Sequence, residues 1–141
     1  MCIRDRLSDG RFHILLQGVA RAELQAELPP AGQLYRRALA SLLVPQDEGE
    51  EAAREVQALR VCYARLLEMN PDHRDLLGDL PLRIQEPRIL ADVVCAAVLT
   101  DPEQRQRALE EPSVALCLRW AHDAVATLLL EGFSAEPGPV Q

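Results

Sequence analysis

The first part of the chain alternates between apolar and polar residues with the period of a β-strand. Residues 11–17, which follow a Ser-Asp-Gly turn signal, predict a strand with one well-buried face. Residues 20–28 alternate more strictly still, although their residue types prefer helices. The period predicts a second strand here, because such alternation would scatter apolar groups around a helix. Its predicted apolar side comprises Ala20, Ala22, Leu24, Ala26 and Leu28.

Residues 34–44 fit either a helix or a strand. Leu34, Ala38 and Leu42 share one face of a helix, whereas every second residue from Leu34 to Val44 shares one face of a strand that carries one outward-leaning Arg. The residue pattern alone favours the helix. The two prolines and the glycine of residues 29–32 predict a turn before this segment, and Pro45 ends it under either interpretation.

From Asp47 onward the apolar period is helical. Asp47 and Glu50 have the spacing of a capping box and predict a long helix that ends before Pro71. We predict a short helical turn over residues 71–77, with Gly78 in the left-handed conformation at its end. A linker bracketed by Pro81 and Pro87 follows. The predicted inward stripe of the long helix is Ala53, Val56, Leu59, Tyr63, Leu66 and Leu67.

Three further helices are predicted in the last third of the chain. The first opens at Pro87, the second is capped by Asp101, and the third is capped by Ser113 and ends at Gly132. Residues 134–141 are rich in proline, lack a stripe and are predicted to be disordered. The inward residues expected in the first helix are Leu90, Val93, Val94, Ala97 and Val98; those in the last are Val114, Cys117, Leu118, Ala121, Ala124, Val125 and Leu128.

The order of these elements predicts an α+β fold. An incomplete antiparallel β subdomain of two to four strands, residues 1–46, precedes a bundle of four to five helices, residues 47–133. Residues 2–7 also alternate as a short strand that would pair with residues 11–17. The 141 residues suit one domain or two small subdomains with a real core.

Composition excludes several kinds of chemistry. All 15 basic residues are arginines, so a P-loop ATPase, a Schiff-base enzyme and a Ser-Lys protease are excluded, and we expect a non-catalytic protein. The four cysteines show no CxxC spacing and the three histidines form no triad, which predicts buried or free thiols and neither metal nor cofactor. A small metal or redox enzyme is the weakest of the functions considered.

Charge and hydropathy bear on partners and location. Residues 1–46 carry 6 Arg and 4 acids, a net +2, whereas residues 47–141 carry 9 Arg and 18 acids, a net −9. An acidic balance repels phosphate backbones, so a nucleic-acid partner is not expected. No run of 18 apolar residues and no signal-like start is present, so we expect a cytoplasmic protein without a membrane contact.

Two sequence blocks resemble the N-terminal substrate-binding domain of Lon proteases. Residues 7–22, LSDGRFHILLQGVARA, are similar to the family's segment in which Asp-Gly, a strand, a (Glu/Gln)-Gly pair and an Arg follow one another. Residues 86–97, EPRILADVVCAA, resemble its helix with a Pro and a Leu-Ala-Asp run. Residues 101–130 are similar to its next two helices. The resemblance implies a β subdomain beside a helical bundle, and it favours a strand for residues 34–44.

Both ends of the chain depart from that family pattern. The family has several more strands before the Asp-Gly hairpin, and residues 1–7 do not resemble them, so we expect a non-native start joined to a truncated frame. A sheet without its partner strands exposes an edge and favours self-association. At the other end, a Pro-rich tail replaces the connection to the ATPase, and we expect a stand-alone member of the family.

The resemblance implies substrate recognition, with unfolded or degradation-tagged proteins, and a protease machine, as partners. A structural or oligomerisation module without client binding is the alternative, motivated by the strong helical stripes. Each residue of the candidate site could instead pack in a core or lie on a solvated surface without contacting a peptide. Trp120 is expected at the rim of the bundle. The candidate peptide-contact residues are Phe12, Ile14, Leu16, Tyr35 and Arg37.

Overall fold

The chain divides into two compact units, residues 1–43 and residues 44–141. The computed structural model describes residues 2–6, 9–15, 18–46, 49–69 and 78–134. All four strands lie in the first unit and the five helices described lie in the second. The predicted α+β class is therefore confirmed. The predicted subdomain bounds, residues 1–46 and 47–133 followed by a tail, stay a prediction.

The first two strands form a hairpin. Strands β1 (Cys2–Arg6) and β2 (Phe12–Leu15) pair antiparallel, with Ile3 opposite Ile14. The turn between them places Gly10 at a φ of 84°, a left-handed conformation that favours glycine. The backbone N–H of Arg11 donates to Asp9 Oδ1 at 3.0 Å and closes the turn. The predicted strand is confirmed at residues 12–15, and its last two residues, 16 and 17, lie outside the described residues.

The next two strands form a second two-stranded sheet. Strand β3 (Arg21–Glu27) pairs antiparallel with β4 (Ala38–Leu43), and the N–H of Leu28 donates to the carbonyl of Arg37 at 2.9 Å. Gly32, with a φ of 81°, lies in the connection. The strand that the family resemblance implied for residues 34–44 is confirmed at residues 38–43, and the helix that the residue pattern favoured is wrong. Residues 38–43 form a strand because β3 supplies inter-strand partners for their backbone groups.

The structure describes five helices in the second unit. They are α1 (Glu50–Met69), α2 (Leu80–Arg83), α3 (Pro87–Val98), α4 (Pro102–Glu110) and α5 (Val114–Ser134). Gly78 has the predicted left-handed conformation, with a φ of 59°. Pro81 is a buried member of α2, so the predicted linker begins later than expected. The predicted cap Asp47, the helical turn over residues 71–77 and residues 135–141 of the predicted tail lie outside the described residues.

The core of this unit forms where α1 and α3 pack against α5. Leu59, Leu90 and Leu118 are each at most 1% exposed. Ala53 and Ala97 were predicted to point inward, but both are exposed. Ala52, Ala91 and Cys95 are buried instead. The buried alanine of α1 is one residue earlier than predicted, and in α3 Ala91 and Cys95 are buried where Ala97 is not, because alanine is too small for its burial to be dictated by the apolar period.

Two predicted caps are confirmed and one helix end is not. The N–H of Glu103 donates to Asp101 Oδ1, and the N–H of Leu116 donates to Ser113 Oγ, both at 3.2 Å. Helix α5, predicted to end at Gly132, continues to Ser134. Leu128 and Leu129 in the preceding turn pack against the core, and a glycine inside a helix costs only about 1 kcal/mol.

Candidate functional site

Strands β3 and β4 form a two-stranded ribbon whose faces follow from its register. Ala22 lies opposite Leu42 and Leu24 opposite Ala40, but Ala26 lies opposite Leu39. The register shifts between Leu24 and Ala26, which leaves Gln25 as an extra residue in β3. Such a bulge places the residues on either side of it out of alternation. Ala26 therefore lies on the face opposite Leu24, which corrects the predicted single apolar side of this strand.

One face of the ribbon is almost wholly apolar, and it is exposed. Leu24 is 75% exposed and Leu42 is 71% exposed. We call this surface the apolar ribbon face; besides the exposed Glu27 at one end, it comprises Ala22, Leu24, Ala38, Ala40 and Leu42. Among the residues that the structure describes, no third strand pairs with the ribbon. Its two outer edges can therefore accept an added strand.

The opposite face of the ribbon mixes polar and apolar residues. The side-chain amide of Gln25 donates to Ser41 Oγ at 2.9 Å and to Glu23 Oε2 at 3.1 Å. The bond to Ser41 links the bulge to β4. This face therefore has a polar cross-strand contact, whereas the apolar ribbon face carries a polar side chain only at its Glu27 end.

A forked ion pair lies at the turn end of the ribbon. Arg36 donates from Nε and Nη2 to the two carboxylate oxygens of Glu27, at 2.6 Å and 2.7 Å. The Arg36 guanidinium holds the pKa of Glu27 below its ordinary value, and the Glu27 carboxylate in turn raises the pKa of Arg36. Bidentate geometry makes this pair more specific in orientation than an ordinary surface pair. It joins the loop before β4 to the end of β3.

The ion pair borders a shallow depression of about 480 Å³. Its walls include Leu24 of the apolar ribbon face and Arg37, one of the predicted contact residues. The depression therefore combines hydrophobic surface, two guanidinium groups and one carboxylate. Its lining residues are Leu24, Gln25, Ala26, Glu27, Arg36, Arg37 and Ala38.

The five predicted contact residues are distributed over both hairpins. Phe12 lies in β2 and is 50% exposed, Tyr35 lies in the loop before β4 and is 68% exposed, and Arg37 is exposed. Ile14 pairs with Ile3 in the first hairpin. Leu16 lies outside the described residues. Only Arg37 lines the depression on the ribbon, so the structure leaves the peptide contacts of this set as a prediction.

Leu24 and Leu42 were not among the contact residues predicted from the sequence. Their alternation was visible, but alternation normally indicates a strand face that packs against a core. The signal that could have identified them is the small number of strands available to cover that face.

The described residues show no other candidate centre for chemistry. Within them, no group of three or more His, Cys, Asp or Glu side chains could hold a metal ion. Cys62 is half-buried, and Cys95 and Cys117 are buried. None of the helices in the described ranges is both long and apolar enough to cross a membrane.

Comparisons with known proteins agree on one family. A family model described as the ATP-dependent protease La (LON) substrate-binding domain matches residues 3–125. A Lon protease from Desulfosudis oleivorans is 26% identical over 111 residues, which cover 79% of this chain. The match spans only 14% of that protease.

Proposed function

Since this chain belongs to the ATP-dependent protease La (LON) substrate-binding domain family, we propose that it binds unfolded or degradation-tagged polypeptides and does not cleave them. The family match begins at residue 3, so it includes both β-hairpins as well as the helices up to residue 125. A substrate-binding domain is a recognition domain, not a catalytic one. The clients, a partner protease machine and a cytoplasmic location are parts of this proposal.

The observation that carries the proposal is the exposure of the apolar ribbon face. Unfolded polypeptides differ from folded ones in offering apolar side chains and unpaired backbone groups together. The ribbon offers a complement to both, because Leu24 and Leu42 are exposed and the edges of β3 and β4 can pair with an extended segment. Strand addition of this kind gains affinity from the main chain and specificity from alternate side chains.

The predicted contact residues fit this mode of binding. Tyr35 and Arg37 lie in the loop segment that leads into β4, where an added segment would meet an aromatic ring and a guanidinium group. Phe12 would extend the contact along the first hairpin, and Ile14 and Leu16 remain predicted contacts. An arginine can pair with acidic clients, and a tyrosine combines apolar area with a polar tip.

Substitutions on the ribbon test the proposal directly. Leu24→Thr with Leu42→Thr removes apolar area and introduces β-branched residues, which favour strands. Binding of the full chain to reduced, carboxymethylated α-lactalbumin is measured by fluorescence anisotropy. We expect the Kd to rise by more than about tenfold, since burying each leucine is worth roughly 1.5–3 kcal/mol.

The matched control is Leu80→Thr. Leu80 is 57% exposed on α2, so this variant makes the same exposed Leu-to-Thr change outside the ribbon and should leave the Kd unchanged. Amide hydrogen exchange checks that residues 21–43 keep their protection in every variant. Equal Kd values for the ribbon variant, the control and the original chain would contradict the proposal.

The exposed ribbon also favours a second function, a self-association module without client binding. Two copies could cover each other's apolar ribbon face, and an exposed apolar strand pair favours such contacts. Light scattering distinguishes the two functions. A mass that rises with protein concentration and falls in the ribbon variant, without any binding of denatured client, supports the module instead of client recognition.

A further inference from the structure

A groove runs between α4 and the later half of α5 in the helical unit. The two helices are close near the loop that joins them, where the Cys117 thiol lies 3.5 Å from the carbonyl oxygen of Ala108. Ala108 is the only buried residue among those of α4. Away from that loop the helices leave a cavity of about 630 Å³. Its lining residues are Val98, Leu99, Thr100, Gln104, Arg107, Trp120, Asp123, Ala124, Thr127, Leu128 and Glu131.

Arg105 connects α4 to the C-terminal end of α3, which also borders the groove. Its Nη2 donates to the carbonyl of Ala96 at 3.2 Å, and its Nε donates to the carbonyl of Leu99. These carbonyls lie at the C-terminal end of α3, where no further turn of the helix can use them. The guanidinium therefore ties the first half of α4 to α3.

The groove has an apolar floor. Val98 and Leu99 are both 8% exposed, and Trp120, Ala124 and Leu128 are partly buried against the core. The last three are spaced four residues apart on α5, so they form one row along the helix. The tryptophan forms the end of that row nearest the shared loop. A bulky apolar side chain placed here would be enclosed by hydrocarbon and an aromatic ring.

An acidic row lies beside the apolar one on α5. Asp123, Thr127 and Glu131 are also spaced four residues apart, and the row is about 12 Å long at the helical rise of 1.5 Å per residue. The Thr127 hydroxyl donates to the carbonyl of Asp123 at 2.9 Å. His122 Nδ1 lies 3.4 Å from Asp123 Oδ1. Gln104 and Arg107 line the α4 side of the groove.

We propose that this groove binds a polypeptide segment that carries a bulky apolar residue for the Trp120–Ala124–Leu128 row and a basic residue for Asp123 and Glu131. Charge complementarity favours this occupant, because the unit has a net charge of −9 and the carboxylates of Asp123 and Glu131 line the α5 side of the groove. The length of the acidic row matches about four extended residues. The inference rests on the proposed function in that its ligand is a polypeptide, but it does not involve the ribbon.

Trp120 provides the readout, since it is the only tryptophan of the chain. The probe is a blocked Gly-Ser octapeptide with one phenylalanine and one arginine, titrated into the full chain. We expect a saturable change in tryptophan emission that weakens as salt is added. Replacing the arginine of the peptide by glutamate, or its phenylalanine by alanine, should weaken binding by about three- to tenfold.

A charge-neutralising variant tests the acidic row. Asp123→Asn with Glu131→Gln should weaken binding of the arginine peptide by about three- to tenfold. Glu68→Gln with Glu86→Gln removes the same number of exposed charges elsewhere in the unit and should leave binding unchanged. Equal weakening by both pairs would overturn the proposal, because net charge alone would then account for the binding.

Other outcomes also overturn it. The first is a tryptophan emission that does not change when the peptide is added, and the second is an equal change with the glutamate peptide. The third is an emission that changes with protein concentration alone, which would mean that a second copy covers the groove. If the Leu24 and Leu42 substitutions abolish client binding while Trp120 does not respond to the octapeptide, the groove proposal fails and the proposed function stands. If the octapeptide binds but denatured client does not, the proposed function fails instead.

Discussion

Arg88 Nη2 donates a 2.8 Å hydrogen bond to the carbonyl oxygen of Glu111, 23 residues further along the chain. Arg88 is only 7% exposed, and its Nη1 also lies 3.4 Å from the carbonyl oxygen of Pro112. Its Nε lies 3.5 Å from Asp92 Oδ1. The side chain at the start of α3 therefore satisfies the carbonyls that follow α4, and it fixes the loop from which α5 begins.

Removing this guanidinium should destabilise the helical unit. Arg88→Met keeps much of the side-chain volume but leaves the carbonyls of Glu111 and Pro112 without their charged donor. We expect a loss of about 2–4 kcal/mol in the free energy of unfolding, measured by urea denaturation. Arg65→Met is the control, because Arg65 is exposed and, within the described residues, its ion pair is with Glu68 of its own helix. It should change stability by less than about 1 kcal/mol.

Truncation of the α5 stripe should also be costly. Leu118 is fully buried, so Leu118→Ala leaves a cavity and should lower the free energy of unfolding by about 2–5 kcal/mol. Leu80→Ala makes the same chemical change where the side chain is 57% exposed, and should have a much smaller effect. Thermal unfolding followed by circular dichroism compares the two. Similar losses would mean that Leu118 is not in the core.

The Glu27–Arg36 pair predicts a pH dependence for the ribbon. The pKa of Glu27 is held below its ordinary value of 4.5 by Arg36, so the pair's contribution is fully present above about pH 4.5. It is lost as the pH falls through the depressed pKa of the folded chain, because protonation removes the carboxylate. A carboxyl-carbon NMR titration should place the midpoint of Glu27 below 4.5.

Arg36→Gln is the variant that tests this cause. It should raise the Glu27 midpoint toward 4.5, since the hydrogen bonds to the charged carboxylate are lost. Arg11→Gln, which removes the partner of Asp9, should leave the Glu27 midpoint where it is. A midpoint that is the same with and without Arg36 would rule out the ion pair as the cause of the shift.

The three described thiols should differ in reactivity. Burial raises the pKa of Cys62 above its ordinary value of 9.0, so little thiolate is present at neutral pH and alkylation should be slow. Cys95 and Cys117 are buried and should react only after unfolding. Peptide mapping after iodoacetamide treatment, with and without urea, measures each site. Alkylation of Cys117 in the folded chain at the rate of Cys62 would contradict this order.

The family and the type of nearly every described element could be predicted from the sequence. Alternation predicted β2 and β3, and a 3.6-residue period predicted α1, α3 and α5, because these patterns reflect which side of an element is buried. Asp101 and Ser113 were recognised as caps, since a cap depends on neighbours within three residues. Two sequence blocks were enough to identify the family, which the comparisons confirm.

Tertiary structure decided the features that depend on distant partners. Residues 38–43 form a strand only because β3 lies beside them, and the bulge at Gln25 moves Ala26 to the other face of the ribbon. No local pattern distinguishes buried Ala52 from exposed Ala53. The contacts of Arg88 and the groove beside Trp120 are made by residues far apart in the chain. Local periodicity can specify elements and their faces, but only packing brings separate elements together to form a site.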